Sequence, residues 1–291
     1  MTTSQPPAQS GAGTPGGTGS LPFDTSVAHQ ARIYNYLLGG KDNYAADRAA
    51  AEAALKIWPD IAFTARAKRA FLRRVVRYLA DEAGIRQFLD LGTGIPAAGN
   101  THEVAQAIAP ESRVVYVDYD PVVLAHARAL LTSDGAGATE YIDADLRDTG
   151  TILAQAAHLL DFSQPVAVTM LAILHALPDA DDPYAIVARL MEAVPSGSYL
   201  AISHGGSDRV DREAQQDIGD SWSGRVQQQF TLRSREQVAR FFAGTDLVEP
   251  GVVPAEEWRP EPGAGGEGKS TVWCAVGRKR PRGRGVPFDR Q

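Results

Sequence analysis

The sequence predicts a doubly wound α/β fold, and three observations carry that reading. Short apolar runs recur at residues 87–91, 114–117, 140–142, 166–171 and 199–202, and runs without polar alternation are what a parallel strand covered on both faces requires. Helix-start signals fall between them: Asp120 then Pro121 before Leu124, Ala127 and Leu131, and Asp182 then Pro183 before Val187, Leu190 and Met191. The first run also passes directly into a glycine turn, Gly92-Thr93-Gly94, as in folds that bring a ligand against bare backbone.

The remaining elements follow in order. Residues 1–22 are Gly, Ser, Thr, Pro and Gln rich, with neither the basic start nor the apolar run of a signal peptide, and are expected to be a disordered leader. A helical cap is expected over 23–84. Its first helix follows the capping residues Asp24-Thr25-Ser26 and stops at Gly39-Gly40; the second spans Ala45 to Ile57; the third runs from about Asp60 through Phe63, Ala67, Phe71, Val75 and Leu79 to Gly84. A ligand-binding domain is expected over 85–277. Ser234-Arg235-Glu236-Gln237 has capping-box spacing ahead of Val238 and Phe241. Residues 247–253 and 271–276 read as two late strands joined by a Gly/Pro/Glu-rich loop, and 278–291, with six Lys or Arg, as a basic disordered tail.

Composition narrows the partners. The 291 residues carry 29 basic and 35 acidic side chains, a formal charge of −6, which gives no general attraction to nucleic acid or an anionic membrane. The longest apolar stretch, residues 166–174, is nine residues long and contains Thr169, where a membrane-spanning helix needs about 20. One cysteine, Cys274, excludes an intramolecular disulfide and any multi-thiolate centre and fits a cytoplasmic protein. His102, His158 and His204 have no metal-ligand spacing, so no metal is expected. A small-molecule acceptor or another protein is the expected partner, with the oligomeric state open.

The candidate ligand site is built from strand ends. Gly92, Gly94 and Ala97 fit a relaxed dinucleotide fingerprint and alone do not separate a nicotinamide cofactor from S-adenosylmethionine. Asp90, just before the first glycine, disfavours a pyrophosphate and suits a ligand with an ammonium group. Asp118 ends the second strand, where a carboxylate accepts both ribose hydroxyls of an adenosine ligand, and Tyr119 adjoins it. Asp145 and Leu146 lie beyond the third strand, placed to meet the adenine. Asp120 reads as the cap before Pro121.

Asp-x-Gly-x-Gly at Asp90 to Gly94, with Asp118 and Asp145 after the next two strands, resembles the class I S-adenosylmethionine-dependent methyltransferases over about residues 85–276. That resemblance implies a seven-stranded, Rossmann-like, mostly parallel sheet with an antiparallel last strand. Ala97 stands where the class often has a third glycine. Residues 31–48, ARIYNYLLGGKDNYAADR, with Leu91-Gly92-Thr93-Gly94-Ile95-Pro96 and Asn100-Thr101-His102-Glu103-Val104-Ala105, resemble the actinobacterial S-adenosyl methyltransferase family first catalogued as a domain of unknown function. The resemblance implies S-adenosylmethionine as cofactor and names no acceptor.

Two further expectations concern the chemistry. Gly39-Gly40-Lys41-Asp42-Asn43-Tyr44 concentrates polar and stacking groups between helices, so Tyr36, Lys41, Asp42 and Asn43 are expected to form a lid over the methionine end of the cofactor and the acceptor. His175, beyond the fourth strand, is the candidate general base. The leading function is methyl transfer to a small molecule. A catalytically silent S-adenosylmethionine or S-adenosylhomocysteine sensor and, less favoured, an NAD-dependent oxidoreductase are the alternatives.

Overall fold

A computed structural model describes residues 24–130, 137–213, 215–217, 230–261 and 268–281. The expected leader, the end of the tail, most of the Gly/Pro/Glu-rich loop and most of the glutamine-rich stretch after Asp211 lie outside the described residues. The elements are α1 (Gln30–Leu37), α2 (Ala45–Ile57), α3 (Ile61–Asp81), β1 (Gln87–Leu91), α4 (Thr101–Ile108), β2 (Arg113–Asp118), α5 (Pro121–Leu130), β3 (Ala138–Asp143) and α6 (Thr149–Ala156). They continue with β4 (Ala167–Leu171), α7 (Pro183–Ala193), β5 (Tyr199–Gly205), α8 (Arg235–Arg240), β6 (Thr245–Leu247), β7 (Val253–Pro254) and β8 (Val272–Lys279).

The sheet order is β3-β2-β1-β4-β5-β8-β6, with β7 also paired to β8. Strands β1 to β5 are parallel and β8 runs against β5. Strand order reverses beside β1, the point at which a doubly wound sheet opens a crevice at the carboxyl ends of its strands. Alternate residues of β1 feed two cores. Leu89 and Leu91 join Val115, Met170, Ile202 and α7 on one face, and Phe88 joins Val114, Ala167, Cys274 and α3 on the other. Burial on both faces explains the unbroken apolar runs.

The N-terminal helices divide between two roles. Helix α3 buries Phe71, Val75, Val76 and Leu79 in the same core as β1 and β8, so it is a layer of the sheet fold. Helices α1 and α2 share a separate small core of Ala28, Ile33, Ala50 and Ala51. They are joined by Asp47, which accepts from the Arg32 guanidinium at 3.0 Å and from the His29 and Tyr44 amides.

Local signals account for the differences from expectation. Helix α1 is capped by His29, whereas Asp24 accepts from the Ser26 amide and hydroxyl in a turn of its own. Helix α6 escaped the sequence reading because Thr149-Gly150-Thr151 is a poor helix start by propensity; the Asp148 carboxylate supplies its cap at Thr151. The strand expected over 247–253 divides into β6 and β7, because Gly251, at φ +84, turns the chain back with its amide donating to the Val248 carbonyl. The sheet consequently has eight strands where seven were expected. The first residues of the expected tail are structural too: β8 runs to Lys279, whose ammonium donates to the Val194 carbonyl at 2.7 Å beyond the end of α7, and Arg280 pairs with Asp246 at 2.6 Å.

Trp258 is fully buried and meets Phe71 and Tyr78 edge-on, with ring centroids 5.4 and 5.8 Å away. Removing an aromatic from such a contact forfeits its transfer energy and leaves a cavity. Trp258→Ala should lower unfolding free energy by about 3–5 kcal/mol, read from the midpoint of urea denaturation.

Candidate active site

The turn after β1 requires its glycines for different reasons. Gly92 has φ +73, and a Cβ there would lie 2.3 Å from the Ile173 side chain. Gly94 has φ +67 with nothing within 4 Å of the Cβ position. The Gly94 amide donates to one Asp118 carboxylate oxygen at 2.9 Å, and the Tyr119 and Asp120 amides donate to the other at 2.9 and 3.0 Å. Asp118 thereby ties the end of β2 across the turn. Burial raises its carboxyl pKa, and the amide hydrogen bonds oppose that rise.

Two cavities meet at this turn. The smaller, about 390 Å³, runs from Asp118 and Tyr119 past Ala144, Asp145 and Leu146 to Pro178. The larger, about 700 Å³, extends from Thr93 and Gly94 beneath α1 and along α3 toward β8. Gly92, Asp118, Tyr119, Ile173 and Phe230 border both. Both volumes fall in the range of small-molecule sites.

The structure brings Gly92, Thr93, Gly94, Asp118, Tyr119, Asp145, Leu146 and His175 to these cavities and leaves the other predicted residues elsewhere. Asp90 lines neither cavity. Its two carboxylate oxygens accept from Thr101 at 2.6 Å and Thr169 at 2.8 Å, so its position gives no direct argument about the charge of the ligand, contrary to the expectation. Burial raises its pKa against those two bonds. Asp145 is engaged by Arg147 at 2.8 Å, and Arg147 also reaches Asp181 at 2.7 Å.

The expected lid also lies elsewhere. Asn35, on α1, accepts from the Asp42 amide and the Asn43 side chain, both at 3.0 Å. Tyr36 donates to Glu52 at 3.1 Å, and Lys41 is exposed. Tyr36, Lys41, Asp42 and Asn43 line neither cavity; the loop's polar groups are used locally to end α1 and start α2. The cover over the larger cavity comes from α1 itself, through His29, Gln30, Ile33 and Tyr34. His29 Nδ1 lies 2.7 Å from Asp120, clasping the helix to the end of β2. Burial would raise the Asp120 pKa, but the His29 hydrogen bond and charge outweigh it and hold the carboxyl low. Asp120 also accepts from the Val122 amide at 2.8 Å, as a cap should.

His175 is buried, stacks on Phe230 at 4.9 Å, and has Nε2 2.7 Å from the Gln30 amide nitrogen. Burial, with Lys68, His204 and Arg233 nearby, pushes its pKa well below the usual value and keeps the ring neutral. Its short helical turn, Leu174–Ala176, is anchored by Arg233, which donates to the Leu174 and Leu177 carbonyls, His204 Nε2 and Asp179. His204 Nδ1 in turn meets the Gly205 carbonyl at 2.9 Å.

Sequence reasoning missed Arg233, Lys68 and Arg69. Lys68 and Arg69 both line the larger cavity. Arg69 donates to the Ala97 carbonyl and to Asn100 beyond the turn, while its buried Nε has no partner among the described residues. A Lys-Arg pair in a basic helix carries no sequence mark that separates cavity-facing from solvated cations. Among the described residues no His, Cys, Asp and Glu group could hold a metal, and no helix is long and apolar enough to cross a membrane.

A parallel sheet with a reversed strand beyond β5 and a glycine turn bonded to the acidic end of β2 defines the class I S-adenosylmethionine-dependent methyltransferase fold. The chain belongs to the S-adenosyl methyltransferase family, whose sequence profile matches residues 17–280. It is similar to a DUF574 family protein from Streptomyces avermitilis, at 44% identity over 88% of this chain and 99% of that one, with a TM-score of 0.84. It is also similar to a candidate methyltransferase from Thermobifida fusca, at 41% identity over 88% and 97% of the two chains, with a TM-score of 0.79. No curated protein matches the sequence.

Two expectations test this geometry. Gly92→Ala should disrupt the turn and markedly lower the thermal midpoint, whereas Gly94→Ala should cost only about 1–2 kcal/mol, the price of a left-handed non-glycine residue. Burial lowers the His204 pKa to about 4, so the unfolded chain binds the extra proton first as pH falls. Stability should therefore decline from about pH 6.5, the unfolded value, down to about pH 4, by roughly 3 kcal/mol for this residue. His204→Gln, which keeps an acceptor for Arg233, should flatten that decline in denaturation midpoints measured against pH.

Proposed function

We propose that the protein transfers a methyl group from S-adenosylmethionine to a small acceptor bound in the larger cavity. The observation that carries the reading is the position of Asp118, bonded across the glycine turn where the two cavities meet. The residues fit the cofactor. The smaller cavity offers Asp118 to the ribose hydroxyls and the walls of Ala144 and Leu146 to the adenine, while the larger begins at Thr93, Gly94 and Arg69, whose positive charge suits an amino-acid carboxylate. When bound, S-adenosylmethionine supplies an electrophilic methyl group whose sulfur keeps the electron pair of the broken bond.

The chain's own contribution is to bind, align and exclude water. Helix α1, clasped by His29 to Asp120, roofs the larger cavity and shields the acceptor from solvent. His175, held neutral at that cavity, is in the protonation state a general base needs. The Gln30 side-chain N–H donates to Nε2, so Nδ1 carries the proton of the neutral ring and His175 acts as a base only when an acceptor displaces Gln30 from Nε2. Family membership together with the paired cavities favours transfer over a silent sensor.

Calorimetric titration with S-adenosylmethionine, S-adenosylhomocysteine and NAD tests the reading. The first two should bind and NAD should not, and Asp118→Ala should weaken both by about 10- to 100-fold, the worth of a charge-assisted hydrogen bond. NAD binding in preference to the sulfur ligands would overturn it.

A further inference from the structure

The larger cavity contains a cation that the cofactor reading leaves without a task. Lys68 projects from α3 with its Nζ 4.6 Å from the centroid of the Tyr34 ring. Among the described residues it makes no ion pair, although a cation inside a protein ordinarily has a carboxylate partner. The Tyr34 hydroxyl donates to the Ala65 carbonyl at 3.2 Å, so the lysine meets the ring face and leaves that hydroxyl occupied. The same cavity is lined by the apolar side chains of Leu37, Trp58, Ile61 and Leu72.

Its neighbour Arg69 separates two possible uses of the charge. Arg69 reaches the chain just beyond the glycine turn, at Ala97 and Asn100, which assigns it to the cofactor's end of the cavity. The Lys68 charge is instead felt by Cys274 on β8 and by His175 beyond β4. The other ionisable groups near it do not supply an anion: burial pushes the Cys274 thiol and the Tyr34 hydroxyl up, keeping both protonated, and keeps His175 neutral.

We propose that Lys68 binds the acidic hydroxyl of a flat aromatic acceptor, a phenol, whose ring lies against the apolar wall of the larger cavity. The proposal deepens the methyltransferase reading and rests on it for the fate of the oxygen. Burial lowers the Lys68 pKa to about 8, so near neutrality the side chain exchanges between ammonium and amine. As the amine it takes the proton from the phenolic O–H; as the ammonium it pairs with the phenolate oxygen, and that proton then leaves to solvent. A permanently ionised carboxylate would gain the charge pairing without using that exchange.

The test uses the full chain saturated with S-adenosylhomocysteine and three probes: para-nitrophenol, its neutral methyl ether para-nitroanisole, and benzoate. Para-nitrophenol should bind at least about tenfold more tightly than its ether, and its yellow phenolate band should grow on binding at a pH where the free phenol is protonated. Lys68→Met should abolish both effects with S-adenosylhomocysteine affinity unchanged, and Lys68→Arg, which keeps the charge, should retain phenolate binding. A thermal midpoint within a few degrees of the parent certifies each variant, and Lys68→Gln replaces Lys68→Met should the latter unfold. Equal binding of phenol and ether, tighter binding of benzoate than of para-nitrophenol, or loss of S-adenosylhomocysteine binding in folded Lys68→Met would each overturn the assignment, the last placing Lys68 on the cofactor. A parent protein that bound no S-adenosylhomocysteine would count against the methyltransferase reading alone, since the phenolate band reports Lys68 without the cofactor.

Discussion

A buried carboxylate in the central strand holds the ligand-binding end of the sheet together. Asp90 sits in β1 between β2 and β4 and accepts one hydroxyl from β4, at Thr169, and one from the first residue of α4, at Thr101. Two short hydrogen bonds thereby fix a strand, its neighbour and the helix that follows the glycine turn. A carboxylate in so dry a place is costly unless satisfied; satisfied, it sets the direction in which the chain leaves the sheet. The turn at Gly92 to Gly94, the bond from Gly94 to Asp118 and the junction of the two cavities all inherit their positions from it.

A second buried polar cluster does the same for the opposite wall. Arg233, almost wholly enclosed, donates to two carbonyls, a histidine and a carboxylate, and so fixes the short helical turn that carries His175. His204 accepts one of these bonds through Nε2 and meets its neighbour's carbonyl through Nδ1, which accounts for both ring nitrogens in the neutral form. The positive charge of Arg233 disfavours protonation of both histidines. Its Nη1 and Nη2 carry these bonds, whereas its buried Nε has no partner among the described residues.

The sheet and the residues around the glycine turn were legible in the sequence because each depends on local pattern. Strands buried on both faces announce themselves as apolar runs, and Gly92, Asp118 and Asp145 sit at strand ends that the runs locate. Asp90 was visible as a carboxylate, but its function was not, since its partners stand eleven and seventy-nine residues away. The Gly39 to Tyr44 loop misled for a related reason: a cluster of polar groups looks like a ligand site until Asn35 and Arg48 are seen to use them. The larger cavity was least legible. Lys68, the His175 turn held by Arg233 and the α1 roof come together from distant parts of the chain, and periodicity does not show which face of a basic helix meets an empty space.

The wall shared by the two cavities bears on how this scaffold can diversify. Gly92, Ile173 and Phe230 face both chambers, so a substitution there that enlarges one reshapes the other; under the proposed function, a new acceptor would be gained at the expense of adenosine recognition. Leu37, Trp58, Ile61 and Leu72 border the larger chamber alone. Divergence among relatives, or directed evolution in the laboratory, is therefore free to reshape the larger chamber at these four positions while the smaller stays as it is.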